Sequence, residues 1–540
     1  MTTRTGLRHG LHVSCFRLAP LVSVLVSAVL CVVKPTYAQE PLRLSVADAV
    51  ARALEGNHDL RIQRESVTLA DEARRRADGA YDTTFRLDSR VRRRTEPFNT
   101  IFSGAPGTEL APTVTSWATN VVFGRLFASG AEASVSTGLL VDSTNNIYTP
   151  LAPAWLTTAV LDIRQPLLQG RRIDPARRAF RVSAVDRERS VHALARTVND
   201  TVAAVERAYW TLVAARDQVG VRRRAVALAE QQRTDTLARV DAGTAAEADL
   251  AQPDTEIARR RGELFSAEET AVRAEQALKV LLLPTPDDPW WDRRLEPSDA
   301  PEGMATLPEP GEAVARALAQ RPEVAESGTA LSRADIFIEA ARERLRPSLD
   351  LVGTYALRGL AGDQNDDLLP PFPGLITVKE DLEGAIGQSY LNLVAHRFLD
   401  AAIGVSMGVP IGNRVAHADL ATAEIARRQA VIALDQLRTR IAAEVRNALV
   451  GVSTAAQRVE AARAGRAASV VQLQAERDRY EAGLTTEFFV LTRQNDLAQA
   501  EVAEATALAD YRKAVTELSR ATGSLAADRR IEIAAPGDRP

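Results

Sequence analysis

The sequence predicts a mixed α and β membrane protein built from two tandem repeats, in which long helices alternate with amphipathic strands. Three observations predict this fold class: motifs that recur in the same order in both halves, helix-forming segments of unusual length, and strand segments that alternate apolar and charged residues. The 540 residues are 46% hydrophobic and 25% charged, which excludes wholesale disorder. The formal net charge is −3, whereas nucleic-acid binding needs a net basic face, so no nucleic-acid partner is expected.

Residues 1–38 have the pattern of a secretory signal peptide. Basic residues precede an apolar stretch at 19–33, and small residues up to Ala38 fit a cleavage site. Cys15 and Cys31 both lie in this leader, so the exported protein would have no disulfide and no thiolate metal ligand. We therefore expect an exported protein that is stabilised by packing alone.

The remaining chain contains a duplication. The paired motifs are, in chain order, AVARAL at 49–54 and 313–318, PLLQG at 166–170 beside PIG at 410–412, and RVDAG at 239–243 beside RYEAG at 479–483. Because three landmarks keep their order, we infer two related halves. The predicted organisation is a signal peptide at 1–38, a first repeat at 39–308 that includes a linker at 284–308, a second repeat at 309–525, and a C-terminal tail at 526–540.

Each half carries one short helical segment and a pair of long ones. The predicted helices are 45–79, 175–241 and 246–283 in the first half, and 310–344, 416–481 and 487–523 in the second. Alanine, arginine, glutamate and leucine dominate them, and these are strong helix formers. A helix of about 65 residues is about 100 Å long and needs partners along its length, so coiled-coil-like packing is expected. Pro253 predicts a kink inside the third helix.

Between these helices the hydrophobic period changes to two. Apolar and polar residues alternate from 85 to 92, 131 to 141, 161 to 164, 349 to 358 and 403 to 409. Several such segments behind a signal peptide are typical of a transmembrane β-barrel. Long loops are predicted at 95–114, 142–155 and 359–397, and a short turn at 128–130, as in barrels whose long loops face outside.

Together these features resemble the TolC family of outer-membrane efflux and secretion channels. The motifs that carry the resemblance are Tyr480-Glu481-Ala482-Gly483-Leu484 with Val490-Leu491, Arg239-Val240-Asp241-Ala242-Gly243-Thr244, Ala208-Tyr209-Trp210, Gln165-Pro166-Leu167-Leu168 and Val409-Pro410-Ile411. The resemblance implies a homotrimeric outer-membrane β-barrel continued by a long periplasmic α-helical barrel of coiled-coil helices. The family usually has four strands per subunit. The first half here is longer, and an added hairpin at 116–127 and 131–141 would give six per subunit and eighteen in the trimer.

The resemblance also implies a function. The chain would form the exit duct of a tripartite efflux pump or a type I secretion system, with passive transport through a channel gated by docking of a periplasmic adaptor (membrane fusion) protein. The implied partners are two further copies of the chain, the adaptor, an inner-membrane pump of RND or ABC type, and outer-membrane lipid. Such channels carry out no chemistry, so no enzyme activity, catalytic residue, metal or cofactor is expected.

The tips of the two helical hairpins are the predicted functional site. The adaptor-contacting tip residues are Arg239, Ala242, Gly243, Thr244, Arg479, Tyr480, Gly483 and Leu484, and the periplasmic aperture is lined by Thr486, Glu487, Phe489, Thr492 and Asp496. Well-known family members carry paired aspartates where this chain has Phe489 and Thr492. This departure predicts an apolar constriction in place of a carboxylate ring.

A rival function is a periplasmic coiled-coil scaffold or adaptor without a membrane barrel. Such a protein would also have a signal peptide and long helices, but it has no reason to alternate apolar and charged strand faces in both halves. The arginine runs at 222–224 and 259–261 are interpreted as solvated helix faces, because acidic residues lie nearby. The cargo cannot be inferred from these residues.

Overall fold

The computed structural model describes residues 41–100, 102–107, 110–300, 303, 306–366 and 378–533. The predicted signal peptide and the end of the predicted C-terminal tail lie outside these residues. The helices are α1 (Val46–Gly56), α2 (His58–Asp78), α3 (Pro175–Asp241), α4 (Ala251–Leu282), α5 (Pro310–Gln320), α6 (Pro322–Arg344), α7 (Ile386–Val394), α8 (Arg414–Glu481), α9 (Glu487–Thr522) and α10 (Leu525–Asp528). The strands are β1 (Leu42–Leu44), β2 (Thr84–Thr95), β3 (Thr113–Leu126), β4 (Glu132–Thr144), β5 (Leu151–Pro166), β6 (Leu295–Pro297), β7 (Ser348–Gln364) and β8 (Phe398–Gly408).

The fold is mixed α and β, as predicted, and its long helices match the sequence pattern closely. The helix predicted at 175–241 is α3, and those predicted at 416–481 and 487–523 are α8 and α9. At 67 and 68 residues, α3 and α8 are each about 100 Å long. In the described residues, no helix combines the length and the apolar character needed to cross a membrane.

Two predicted helices are each split in two. The segment 45–79 breaks at Asn57, whose backbone is extended and whose side chain accepts from the Asp59 N–H at 2.9 Å, so Asn57 caps a new helix. The segment 310–344 breaks at Arg321, because Pro322 disfavours helical backbone at the residue before it. The prediction of single helices was therefore wrong at both places.

The helices pack around two large apolar clusters, one mostly in the first half and one in the second. The first joins α1, α2, α3 and α4 and contains the fully buried Leu60, Leu212 and Leu278. The second joins α5, α8 and α9 around Ile441 and Val445. Among the helices, the two halves meet where α3 packs against α9 and α6. The parallel pair β1 and β6 closes the first cluster near the linker.

Six strands form one antiparallel sheet in the order β2-β3-β4-β5-β7-β8. The hairpin predicted at 116–127 and 131–141 is present as β3 and β4. The loops predicted at 142–155 and 359–397 are shorter than expected, because β4, β5 and β7 run beyond the clearly alternating segments. Part of the second loop, 367–377, lies outside the described residues. Helix α7, which lies later in the same predicted loop, was not predicted from the sequence.

The register gives the sheet one apolar face. A single row across all six strands consists of Phe85, Phe123, Val135, Leu161, Tyr355 and Ala401. The neighbouring row points to the opposite face and begins with Arg86 on β2 and ends with Asp400 on β8. Most of the apolar row is exposed in the single chain. We call the side that carries this row the apolar face.

Candidate functional site: the paired hairpin tips

The two long hairpins turn with the same backbone geometry. In the first, α3 ends at Asp241 and Gly243 has φ +74°; in the second, α8 ends at Glu481 and Gly483 has φ +73°. The N–H of Thr244 donates to the Arg239 carbonyl at 2.9 Å, and that of Leu484 to the Arg479 carbonyl at 2.9 Å. This is the glycine-dependent end of a helix in which a left-handed residue satisfies the last carbonyl groups. Both tip glycines were therefore correctly located from the sequence.

The two tips differ directly after the turn. In the second hairpin, α9 begins at Glu487, but the corresponding Glu247 begins a 3₁₀ turn that runs to Leu250, and α4 starts only at Ala251. Pro253 thus lies in the first turn of α4, where the missing N–H costs little. The predicted kink inside a helix was wrong; the proline instead coincides with a delayed start of the α-helix.

A contact between Arg239 and Tyr480 joins the two tips. The Arg239 guanidinium donates to the Tyr480 hydroxyl and lies 5.7 Å from the ring centroid. Burial, together with the nearby negative charge of Glu487, raises the pKa of Tyr480 above its ordinary value of 10.0. The tyrosine therefore stays neutral and accepts from the arginine at any physiological pH.

A second contact was missed by sequence reasoning. Thr236 on α3 is buried, and its hydroxyl lies 3.2 Å from both carboxylate oxygens of Glu487 at the start of α9. Glu487 also occupies the first turn of its helix, where a negative charge is favourable. Thr236 lies seven residues before the tip glycine, and neither its position nor its type pointed to this pairing.

The other predicted tip residues lie at the exposed end of the hairpins. Ala242, Gly243, Thr244, Gly483 and Leu484 are all exposed, whereas Arg479 forms an ion pair with Glu476 along its own helix. Small and apolar groups therefore dominate the outermost surface of both turns. The structure brings Arg239, Tyr480 and Glu487 together and leaves Ala242, Gly243, Thr244, Gly483 and Leu484 exposed.

The predicted aperture residues are Thr486, just before α9, and four residues in the first three turns of the helix. Thr486 precedes the helix, Thr492 returns its hydroxyl to the Phe488 carbonyl at 2.8 Å, and Asp496 pairs with Arg493 at 2.8 Å. Glu487 is hydrogen-bonded to Thr236, so the two carboxylates among the predicted aperture residues, Glu487 and Asp496, both have partners within the chain. Phe489 is exposed and packs edge-to-face against Phe488 at 5.5 Å. Apolar rings thus form the open surface of this helix start.

Arg260 is a buried cation that links three helices. It is 2% exposed, and its guanidinium donates to Glu256 at 2.7 Å on α4, to the Ala225 carbonyl at 2.8 Å on α3, and to the Leu491 carbonyl at 3.4 Å on α9. Burial opposes the charged form of Glu256, but hydrogen bonds from Arg259 and Arg260 outweigh it and lower the pKa of Glu256 below 4.5. Arg260 therefore ties the first hairpin to the start of α9.

The other arginines of the two runs form ion pairs with nearby acidic residues. The ion pairs are Arg222–Glu263, Arg223–Glu268, Arg224–Glu501, Arg259–Glu256 and Arg261–Glu230. Arg260 is the exception, and the interpretation of its run as a solvated face was wrong there. Its spacing of three from the buried Ile257 places it on the packed side of α4, and this signal was present in the sequence. Across the described residues, no group of His, Cys, Asp and Glu is arranged to hold a metal ion.

Part of the chain is similar to a family of known proteins. Residues 313–524 match the family model of outer membrane efflux proteins. The matched residues lie in the second half of the chain. The predicted resemblance to the TolC family is thereby confirmed, and the second hairpin, with Tyr480, Gly483 and Phe489, lies within the matched residues.

Solved structures share the fold of the whole chain. The outer-membrane channel OprN has a TM-score of 0.61 and 19% identity, covering 88% of this chain and 89% of that chain. The CmeC outer membrane channel of Campylobacter jejuni has a TM-score of 0.60 and 16% identity, covering 89% and 86%. The open-state MtrE outer membrane channel of Neisseria gonorrhoeae has a TM-score of 0.58 and 17% identity, covering 88% of each chain. No curated protein matches the chain significantly.

Proposed function

We propose that this chain is the subunit of a homotrimeric outer-membrane channel that forms the exit duct of a tripartite efflux pump or a type I secretion system. The observation that carries the proposal is a six-stranded sheet with one apolar face and two long edges, attached to helices about 100 Å long. The match of residues 313–524 to the family model of outer membrane efflux proteins supports the same assignment.

The sheet edges favour an assembly of several copies. Within the described residues, β2 (12 residues) and β8 (11 residues) each pair on one side only. Unpaired edges of this length are an aggregation hazard, and a closed barrel removes them. Pairing β8 of one copy with β2 of the next closes a ring of three copies with six strands from each. The apolar face then meets lipid, and the face that carries Arg86 and Asp400 lines water.

The helices extend the proposed channel into the periplasm. Because both hairpin tips lie at the far ends of α3 and α8, they are the part of the chain farthest from the sheet. The exposed Thr244 and Leu484 are positioned to contact a periplasmic adaptor, whose docking also brings an inner-membrane pump of RND or ABC type. Transport through the chain is passive, since the energy comes from that pump.

An apolar ring closes the proposed channel at rest. Glu487 and Asp496 are paired within the chain, so Phe489 and Phe488 are the side chains that three copies would present toward their common axis. Apolar constrictions close a pore to ions because water leaves them. The rival function of a periplasmic scaffold does not account for a six-stranded sheet with a continuous apolar face.

Single-channel conductance in planar bilayers tests this proposal. We expect a low resting conductance for the natural sequence and a higher one for Phe489→Ala, because the substitution widens and wets the constriction. Phe265→Ala is the matched control, since Phe265 is also an exposed phenylalanine and lies on α4 far from the tips. Folded protein that forms no channel, or that stays soluble without detergent, would overturn the proposal in favour of the scaffold.

A further inference from the structure

Helix α7 has the opposite polarity to a helix packed on a water-soluble domain. Its buried residues are the polar Ser389 and Asn392 together with Leu393, whereas Leu391 is 64% and Val394 67% exposed. Ile386 and Tyr390 are exposed on the same side, at intervals of four residues from Val394. A surface helix normally turns its apolar stripe toward the protein and its polar residues outward.

The polar side of α7 is fixed to the sheet by hydrogen bonds. The hydroxyl of Thr157 on β5 is fully buried and lies 3.1 Å from the Ser389 carbonyl and 2.9 Å from the Ser389 hydroxyl. A Cβ added at Gly359 on β7 would lie 1.9 Å from the Ser389 carbonyl oxygen, so only glycine allows this approach. Thr157 and Gly359 are paired in register and lie on the apolar face.

The same segment covers the end of β7 beyond its last pairing with β8. That pairing ends at Arg358 and Phe398. Further along β7, the Leu360 carbonyl accepts from the Asn392 side chain at 2.9 Å, and the Gly362 carbonyl accepts from the Gly384 N–H at 3.1 Å. These two carbonyls would otherwise be unpaired at a sheet edge, which is costly in lipid.

The position of α7 along the strand is that of a membrane interface. Gly359 lies ten residues from Leu349 on β7, which is about 33 Å of strand and about 25 Å of height at a tilt of about 40°. The apolar band of a transmembrane barrel is also about 25 Å tall. Helix α7 therefore lies at the end of the band that is remote from the long helices.

We infer that α7 is a lipid-contacting helix on the outside of the sheet. It inserts Ile386, Leu391 and Val394 among the acyl chains of the membrane leaflet that is remote from the long helices. The inference rests on the proposed function, because it requires the apolar face to meet lipid. The occupant is lipid because α7 lies on the apolar face of β5 and β7 and itself exposes apolar side chains. Tyr390, with an apolar ring and a polar tip, suits the interface at this height.

Spin-label accessibility tests the inference on the full chain in phosphatidylcholine vesicles. With Cys15 and Cys31 replaced by serine, a nitroxide is placed on Leu391→Cys, and separately on Val394→Cys as a second site in case one variant misfolds. Collision with oxygen, which concentrates in lipid, is compared with collision with a water-soluble nickel chelate. Ile403→Cys, on the apolar face at 82% exposure, is the lipid control, and Leu484→Cys, an exposed leucine at the hairpin tip, is the water control.

We expect the oxygen-to-nickel collision ratio at residues 391 and 394 to match that at 403 and to exceed that at 484. A ratio at 391 and 394 that matches 484, while 403 is in lipid, would overturn the lipid role of α7 and leave the channel standing. A ratio at 403 that matches 484 would overturn the membrane assignment of the sheet, and the inference with it.

Discussion

At the scale of single residues, Arg260 shows how one side chain can hold two hairpins together. Its guanidinium bonds to groups on α3, α4 and α9 while almost completely buried. Taking a charge out of water is expensive, so such a group persists only where its partners are well placed. Because the planar guanidinium has five donors in a fixed fork, lysine is a poor replacement.

We predict that Arg260→Met lowers the free energy of unfolding by about 3 kcal/mol, because carbonyl groups and Glu256 lose a buried partner. Arg260→Lys should retain part of the stability through its charge. The measurement is a guanidinium titration followed by helical circular dichroism. Arg261→Met is the control: its ion pair with Glu230 is exposed, so we expect a change within about 0.5 kcal/mol. Equal effects of the two methionine variants would contradict the structural role of Arg260.

Residues whose role depends on local backbone conformation could be predicted from the sequence. Contacts that depend on how distant helices pack together could not. Gly243 and Gly483 were found because a helix end needs a left-handed residue. The contacts Arg239–Tyr480 and Thr236–Glu487 join residues more than 240 positions apart, and no local rule predicts them. Phe489 was identified by a departure from the family pattern, and its exposure agrees with a surface role.

At the scale of elements, the two return helices of the hairpins start differently. Helix α9 begins at Glu487, whereas the matching segment of the first hairpin is a 3₁₀ turn until Ala251. Pro253 has no N–H to offer to an α-helix that would begin at Glu247, and this accounts for the delay. The first tip is therefore the less regular of the two.

We predict that Pro253→Ala extends α4 toward Glu247 and changes the stability of the protein by no more than about 1 kcal/mol, because first-turn prolines are tolerated. Arg493→Pro, at the corresponding position of the continuous helix α9, should cost about 3 kcal/mol. Arg493→Ala controls for loss of the Arg493–Asp496 pair. Thermal unfolding measured by circular dichroism checks all three, and equal losses for the two proline-related changes would contradict this explanation.

Element boundaries could be predicted where the pattern was long and uniform. The start and end of α3 agree with the prediction because alanine and arginine recur throughout and no proline lies between Pro175 and the tip glycine. The breaks at Asn57 and Arg321 were missed because the apolar period continues across them. Helix α7 was missed because its nine residues lie in a predicted loop and its apolar stripe points away from the protein.

At the scale of the whole molecule, the six-stranded sheet of one chain has two edge strands, β2 and β8. Its alternating strands could be recognised from sequence because the side-chain period is two. Their order and register could not, since these depend on pairings such as β5 with β7, which are remote in sequence. In the proposed trimer, the two edges, β2 and β8, are the strands through which neighbouring copies pair.

The central claim, that copies of this chain close a ring through β8 and β2, is tested most directly by disulfide crosslinking. With Cys15 and Cys31 replaced by serine, Ile403→Cys is combined in turn with Phe85→Cys, Leu87→Cys, Ser89→Cys and Val91→Cys. All five positions lie on the apolar face. Within one chain, these strands are separated by five strand spacings, about 24 Å, which a disulfide cannot span.

We predict that oxidation of one of these pairs in the membrane links chains into a ladder that ends at three copies on a denaturing gel. The single variant Ile403→Cys should give dimers at most, and it serves as the control for random collision. Chains that remain unlinked in every combination, or a ladder that continues beyond three copies, would contradict a closed trimer.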